Sequence, residues 1–169
     1  MPKNILLTSF TTWLPHQKSN SSDDLLDEIS KISHASSLTL LRRLPVDVEK
    51  ASSYLIDKIN QITPDAIICC GMAECRHEIS IESNATCGDL VLRTNIELEK
   101  LVYDAQRIQI SHDAGKFVCE GLYYTVLKYI LDSNLNISCI FVHVPILNEE
   151  NFASVLADFM LIIQKVRCY

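Results

Sequence analysis

Apolar runs too short for helices and too continuous for surface strands decide the architecture of this chain. Ile5-Leu6-Leu7, Ala66-Ile67-Ile68-Cys69-Cys70 and Cys139-Ile140-Phe141-Val142 show no polar alternation, the pattern of strands covered on both faces of a parallel sheet. Segments with three- and four-residue apolar spacing separate them. Leu25, Leu26, Ile29 and Ile32 follow the cap candidates Asn20-Ser21-Ser22-Asp23, and Ala51, Leu55, Ile56 and Ile59 follow Asp47. Phe152, Val155, Leu156, Phe159, Met160 and Ile163 repeat the pattern near the end. Each reads as a helix with one buried face. Ser37 to Val46 supplies a further strand, Thr63-Pro64-Asp65 breaks the chain before Ala66, and Arg107-Ile108-Gln109-Ile110 alternates as a strand does. Thr94 to Gln106, with Ile96, Leu98, Leu101 and Val102, reads as a helix, and the stretch after Met72 that holds Arg76, His77, Glu78 and Glu82 reads as a loop. Strands alternating with helices predict a three-layer α/β/α sandwich around a mostly parallel, twisted sheet, in a single domain over residues 1–169.

Composition narrows the partners. A chain of 169 residues is the size of one domain. Its net charge of -6 offers no basic field for phosphate, so nucleic acid is not expected as a partner. No segment approaches the ~20 apolar residues of a membrane helix, and the start lacks a signal-peptide core, so the expectation is a soluble cytoplasmic protein with no membrane partner. Seven cysteines, an odd number, fit a reducing compartment. Cys69, Cys70, Cys75 and Cys87 lack the paired C-x-x-C spacing of a zinc site, so no metal is expected.

Chemistry concentrates between Ser111 and Tyr124. Cys119 falls in the first turn of a predicted helix that carries Val118, Leu122, Tyr123, Val126 and Leu127 on one face. Unpaired N–H groups there favour a thiolate, and can bring a thiol down from about 8.5 toward the range of reactive cysteines. His143 ends an apolar strand that stops at Pro145, on the edge where open α/β sheets hold their ligands. Glu82 follows the third strand. Sulfur, imidazole and carboxylate meet only if their strands lie side by side. His16 and His34 read as surface residues, and His112 as a hydrogen-bonded loop residue.

Five colinear motifs then give a resemblance. Ala114-Gly115-Lys116-Phe117-Val118-Cys119 resembles the A-G-T-F-V-C signature of the pyroglutamyl peptidases, or pyrrolidone-carboxylate peptidases. Ile140-Phe141-Val142-His143-Val144-Pro145 is similar to their F-I-H-V-P, and Gly71 through Glu82 to their glycine-rich segment, with Arg76 and Glu82 in register. Ile5 to Trp13 and Leu44-Pro45-Val46 match the family's opening motifs. The resemblance implies a cysteine peptidase that hydrolyses an N-terminal pyroglutamyl group from peptides through a thioester. Cys119 would be the nucleophile, His143 the base and Glu82 its partner, with Arg93 at the oxyanion. Phe10, Trp13, Met72, Phe117 and Val118 would line the slot for the lactam ring. No cofactor is implied, and a homo-oligomer is compatible with it.

Departures from the pattern fall near the site. Glu74 and Cys75 replace two glycines, Glu120 replaces an asparagine, Arg93 falls one position late, and the segment from Glu82 to Cys119 is short for the family. Two rivals therefore stand beside the peptidase: another small cysteine amidohydrolase of the amidotransferase or deglycase kind, and a binding or assembly protein that has kept the triad without turnover.

Overall fold

The computed structural model describes residues 3–32, 37–105 and 107–169; His34 and Gln106 lie outside them. In chain order the elements are β1 (Ile5–Phe10), α1 (Ser21–Lys31), β2 (Leu38–Leu44), α2 (Val48–Ile62), β3 (Ala66–Met72), β4 (Ile79–Glu82), β5 (Asn84–Cys87), β6 (Leu90–Arg93), α3 (Leu98–Val102), β7 (Ile108–Ser111), α4 (Val118–Asp132), β8 (Ser138–Val144) and α5 (Phe152–Val166). Six strands form one sheet in the order β2-β1-β3-β8-β4-β7, and β5 with β6 forms a separate hairpin.

Alternation along the strands sorts the core into two layers. Ile5, Leu7, Ile68, Cys70, Ile140 and Val142 face α1, α3 and α5 with Leu25, Ile29, Leu101, Phe159 and Ile163. Leu6, Phe10, Ile67, Cys69, Cys139 and Phe141 face α2 and α4 with Leu55, Ile59, Leu122 and Val126. Both faces of the central strands are thus covered, which is why those strands carry no polar alternation. The α2–α4 crossing is close: a Cβ added to Gly121 would lie 2.6 Å from Val48 Cγ2.

Local signals place the helix starts. Asn20 Oδ1 accepts from the Ser22 N–H at 3.0 Å and Asp47 Oδ1 from the Lys50 N–H at 2.9 Å, each answering a donor that the helix leaves unpaired. At the far end of α2, Thr63 turns left-handed at φ 43°, the geometry that ends a helix.

Two segments differ from the sequence expectation. Residues 79–82 are a strand rather than loop, antiparallel to β8 and parallel to β7. The helix expected over Thr94 to Gln106 shrinks to Leu98–Val102. Its first residues are held otherwise: Thr94 Oγ1 donates to the Cys139 carbonyl at 2.7 Å, and Asn95 Nδ2 donates to the Ile137 carbonyl at 3.0 Å. Side chains bonded to β8 hold these residues in a bend beside it, which competes with helix formation. No helix among the described residues is long and apolar enough to cross a membrane.

Candidate active site

Three adjacent strands bring the chemistry together. β3 pairs with β8 and β8 with β4, in a register that sets Gly71 opposite His143 and His143 opposite Ser80, with Glu82 opposite Phe141. Cross-strand partners point to the same face. Glu82, Phe141 and His143 therefore project toward α4, the helix that begins at Val118 and carries Cys119 in its first turn.

Glu82 is fully buried and His143 nearly so, and Glu82 Oε1 lies 2.6 Å from His143 Nδ1. A carboxylate at Nδ1 fixes the ring orientation and leaves Nε2 as the nitrogen free to move a proton. Burial alone would raise the Glu82 pKa, but hydrogen bonds from His143 and Arg76 outweigh it and hold the carboxyl below its usual range. Phe141 supports the imidazole with ring centroids 5.0 Å apart. From α4, the Tyr123 hydroxyl donates to the Glu82 carbonyl at 3.1 Å, one turn beyond Cys119, so helix and acid are tied directly.

Cys119 Sγ rests over β3. A Cβ built on Gly71 would come within 2.6 Å of it, which sets the sulfur over the strand next to the imidazole, about 4.8 Å being one strand spacing. No hydrogen bond joins Sγ to His143 among the described residues, so the pair is adjacent but not engaged; unliganded sites often show this looseness. The expectation of a standing thiolate is corrected. Burial, then Cys69 and the Glu82 carboxylate, push the thiol up to about 12, against the opposing pull of Arg76 and the helix N–H. The helix position is as expected, but the side chain turns inward onto the sheet, where a charge loses its water.

Arg76 is the functional residue that the sequence reading aligned without giving it a role. Its guanidinium donates to Glu82 Oε1 at 2.6 Å, to Ser111 Oγ at 3.2 Å and to the Asp113 carbonyl at 2.9 Å, and also bonds Ser80. It joins β4, the end of β7 and the loop before the nucleophile, and it is the positive charge beside the cleft. Arg93 is elsewhere. It ends β6 with its side chain exposed, in a hollow with Leu127, Ile130 and Leu131. Cys139 lines the same hollow, toward the opposite end of β8 from His143, and Arg93 does not line the cavity that holds Cys119 and His143.

Phe10, Trp13, Met72, Phe117 and Val118 line one cavity of about 360 Å³ with Cys119, His143 and Arg76. Trp13 stacks on Phe117 at 4.3 Å, both about half exposed, and forms the rim. Gln17 latches that rim: its Oε1 accepts from the Trp13 N–H at 2.9 Å while its Nε2 donates to Glu74, which also bonds His16. The substituted Glu74 is thus engaged at the cleft mouth. Phe117 gives α4 no side-chain cap, and Val118 and Cys119 line the cavity, so the first N–H groups of the helix, which have no intrahelical acceptor, lie beside it. His112 bonds Ser83 at 2.7 Å. Among the described residues no three His, Cys, Asp or Glu side chains gather to hold a metal.

Known proteins resemble this chain in sequence and in fold. The sequence is 29% identical over 134 residues to the pyrrolidone-carboxylate peptidase of Brachyspira hyodysenteriae, covering 64% of this chain and 67% of the relative. It is 30% identical over 131 residues to pyrrolidone-carboxylate peptidase 1 of Caldanaerobacter subterraneus, covering 62% of this chain and 63% of that one. The match to the Brevibacillus brevis peptidase is longer, 25% identical over 174 residues and 80% of its length. The fold superposes on pyroglutamyl peptidase I of Bacillus amyloliquefaciens with a TM-score of 0.86, 19% identity, and 99% and 98% of the two chains covered. A mutant pyrrolidone carboxyl peptidase from Pyrococcus furiosus gives a TM-score of 0.82 at 20% identity, with 96% and 97% covered. No family model matches the sequence.

Proposed function

We propose that the chain belongs to the pyrrolidone-carboxylate peptidase family its relatives represent, and that it hydrolyses the amide bond after an N-terminal pyroglutamyl residue, with Cys119, His143 and Glu82 as its catalytic triad. One observation carries the reading: a buried imidazole oriented by a carboxylate at 2.6 Å, in the cavity wall where Cys119 also stands. A cysteine that rests as a neutral thiol must lose its proton as it attacks. His143 Nε2 accepts that proton while sulfur bonds to the carbonyl carbon. The same proton then goes to the departing amine as the C–N bond breaks, leaving a pyroglutamyl thioester that water cleaves.

Glu82 steadies the imidazolium formed in between, and Arg76 is the nearby cation that favours the thiolate side of the transfer. The free N–H groups at the start of α4 are the oxyanion donors in this reading, in place of Arg93. Phe10, Trp13, Met72, Phe117 and Val118 suit an uncharged lactam ring, which has no free amine for a charged subsite to recognise.

Turnover of a fluorogenic pyroglutamyl amide tests the proposal, with an alanyl amide as control. Cys119→Ser is expected to lower pyroglutamyl turnover by about 10⁴-fold or more. Absence of turnover in the folded native chain contradicts the peptidase and favours the binding or assembly reading. Cleavage of the alanyl amide at equal rate favours another amidohydrolase. The seven cysteines are free, which supports a cytoplasmic, reducing setting. A homo-oligomer belongs to the same reading, and sedimentation velocity decides it.

A further inference from the structure

Gly71 poses a question that its backbone does not answer. The chain's left-handed glycines are Gly88 and Gly115, so Gly71 sits in ordinary extended geometry that any residue adopts. It lies within β3, paired with β8, where a glycine weakens a strand. Local conformation therefore gives no reason for a missing side chain. Space does: an added Cβ would meet Cys119 Sγ at 2.6 Å, and the Phe141 ring at 3.1 and 3.2 Å.

We infer that Gly71 is a positioning residue: its bare Cα is the seat on which the Cys119 sulfur is held, one strand away from His143. The register makes the seat specific. Gly71 pairs with His143 itself, so the sulfur over Gly71 is level with the imidazole-bearing residue. Shifting the sulfur off this floor moves it along the line that sets its approach to the base. An alanine leaves the sulfur no room where it now rests, and the Phe141 ring, already 3.1 Å from the added Cβ, crowds the methyl as well, so the sulfur must move. A displacement of about 1 Å at a reacting atom costs on the order of 100-fold in rate. The same displacement takes the sulfur off the floor that covers one side of it.

The inference rests on the triad reading for its kinetic consequence but not for its structural one, so two measurements are paired. In the first, Gly71→Ala is expected to lower kcat on the pyroglutamyl amide by about 100-fold with KM changed by less than about threefold. Carbamidomethylation of Cys119 by iodoacetamide rises at the same time, while the buried Cys69, Cys70 and Cys139 stay protected. A merely unfolding variant would expose all of them together. In the second, Gly71→Ala is made with and without Cys119→Ala, and the four proteins are melted. Overpacking against sulfur is expected to lower Tm by about 3–8 °C when Cys119 is present and by less than about 2 °C when it is absent. The Phe141 contact is common to both backgrounds and cancels. An equal loss in both backgrounds, or full turnover in Gly71→Ala, overturns the seat. A native chain without peptidase activity overturns the proposed function instead and leaves the melting cycle to decide this inference.

Discussion

Cys119 stands where two influences oppose one another. The helix start and Arg76 favour its anion, while burial on the sheet and the Glu82 carboxylate oppose it, and the second pair prevails. Iodoacetamide at neutral pH should therefore label the exposed Cys75, Cys87 and Cys168 before Cys119, with Cys119 catching up as pH rises; peptide mass mapping reads the order. Labelling of Cys119 first would mean a standing thiolate–imidazolium pair. For the acid, Glu82→Gln keeps the size but not the charge, and should lower kcat by about 10²–10⁴-fold with little change in KM. Arg76→Ala leaves a buried carboxylate with one partner fewer. A loss of roughly 2–4 kcal/mol is expected in urea unfolding, below the fully buried case because the guanidinium is 28% exposed. The residue types of the site were legible because cysteine at a helix start and histidine at a strand end are local patterns. The direction of the Cys119 side chain was not, since it depends on a glycine some fifty positions earlier in sequence.

Elements hold these residues in place through contacts of different reach. Caps are local, and both Asn20 and Asp47 could be picked out from sequence. Asp47→Ala should cost about 1 kcal/mol of stability and leave kcat unchanged, because α2 packs behind the cleft wall without touching substrate. Tyr123→Phe is the contrasting test: its hydroxyl ties α4 to the backbone of Glu82. A similar stability loss with a measurable fall in kcat is expected, and equal kinetics in the two variants would deny α4 its role in holding the acid. β4 escaped the sequence reading because Ile79-Ser80-Ile81-Glu82 is only four residues long, and its partners lie far away in sequence. The overextended α3 has the opposite cause. Its apolar spacing is helical, but Thr94 and Asn95 bond to β8, and a long-range contact overrides local preference.

The whole molecule carries its ionisable groups in a way that bounds its pH range. Glu82 and Asp23 have lowered pKa values: burial opposes this at both, but His143 and Arg76 at the first, and Arg42, Ser9 and Arg43 at the second, prevail. A depressed folded pKa contributes stability that is complete above the unfolded value and lost as pH falls through the folded one. Urea midpoints should fall below about pH 4.5, and Asp23→Asn should flatten that fall. At the other end, burial raises Cys70, Cys119 and Tyr123, and the bond to Cys69 with burial raises Cys139. These groups stabilise below their unfolded values, and that contribution is lost as pH rises from about 9. The layered fold was readable at this scale, since uninterrupted apolar strands alternating with helices admit few other packings. The reversed direction of β4 and β7, which brings Glu82 back to His143, had no sequence signal. The most direct measurement of the central claim is intact-mass analysis of the native chain quenched in acid during turnover of a pyroglutamyl amide. The account predicts a mass gain of one pyroglutamyl acyl group, mapped to Cys119 and absent in Cys119→Ser; turnover that survives in Cys119→Ser, or turnover with the acyl group on another residue, would contradict it.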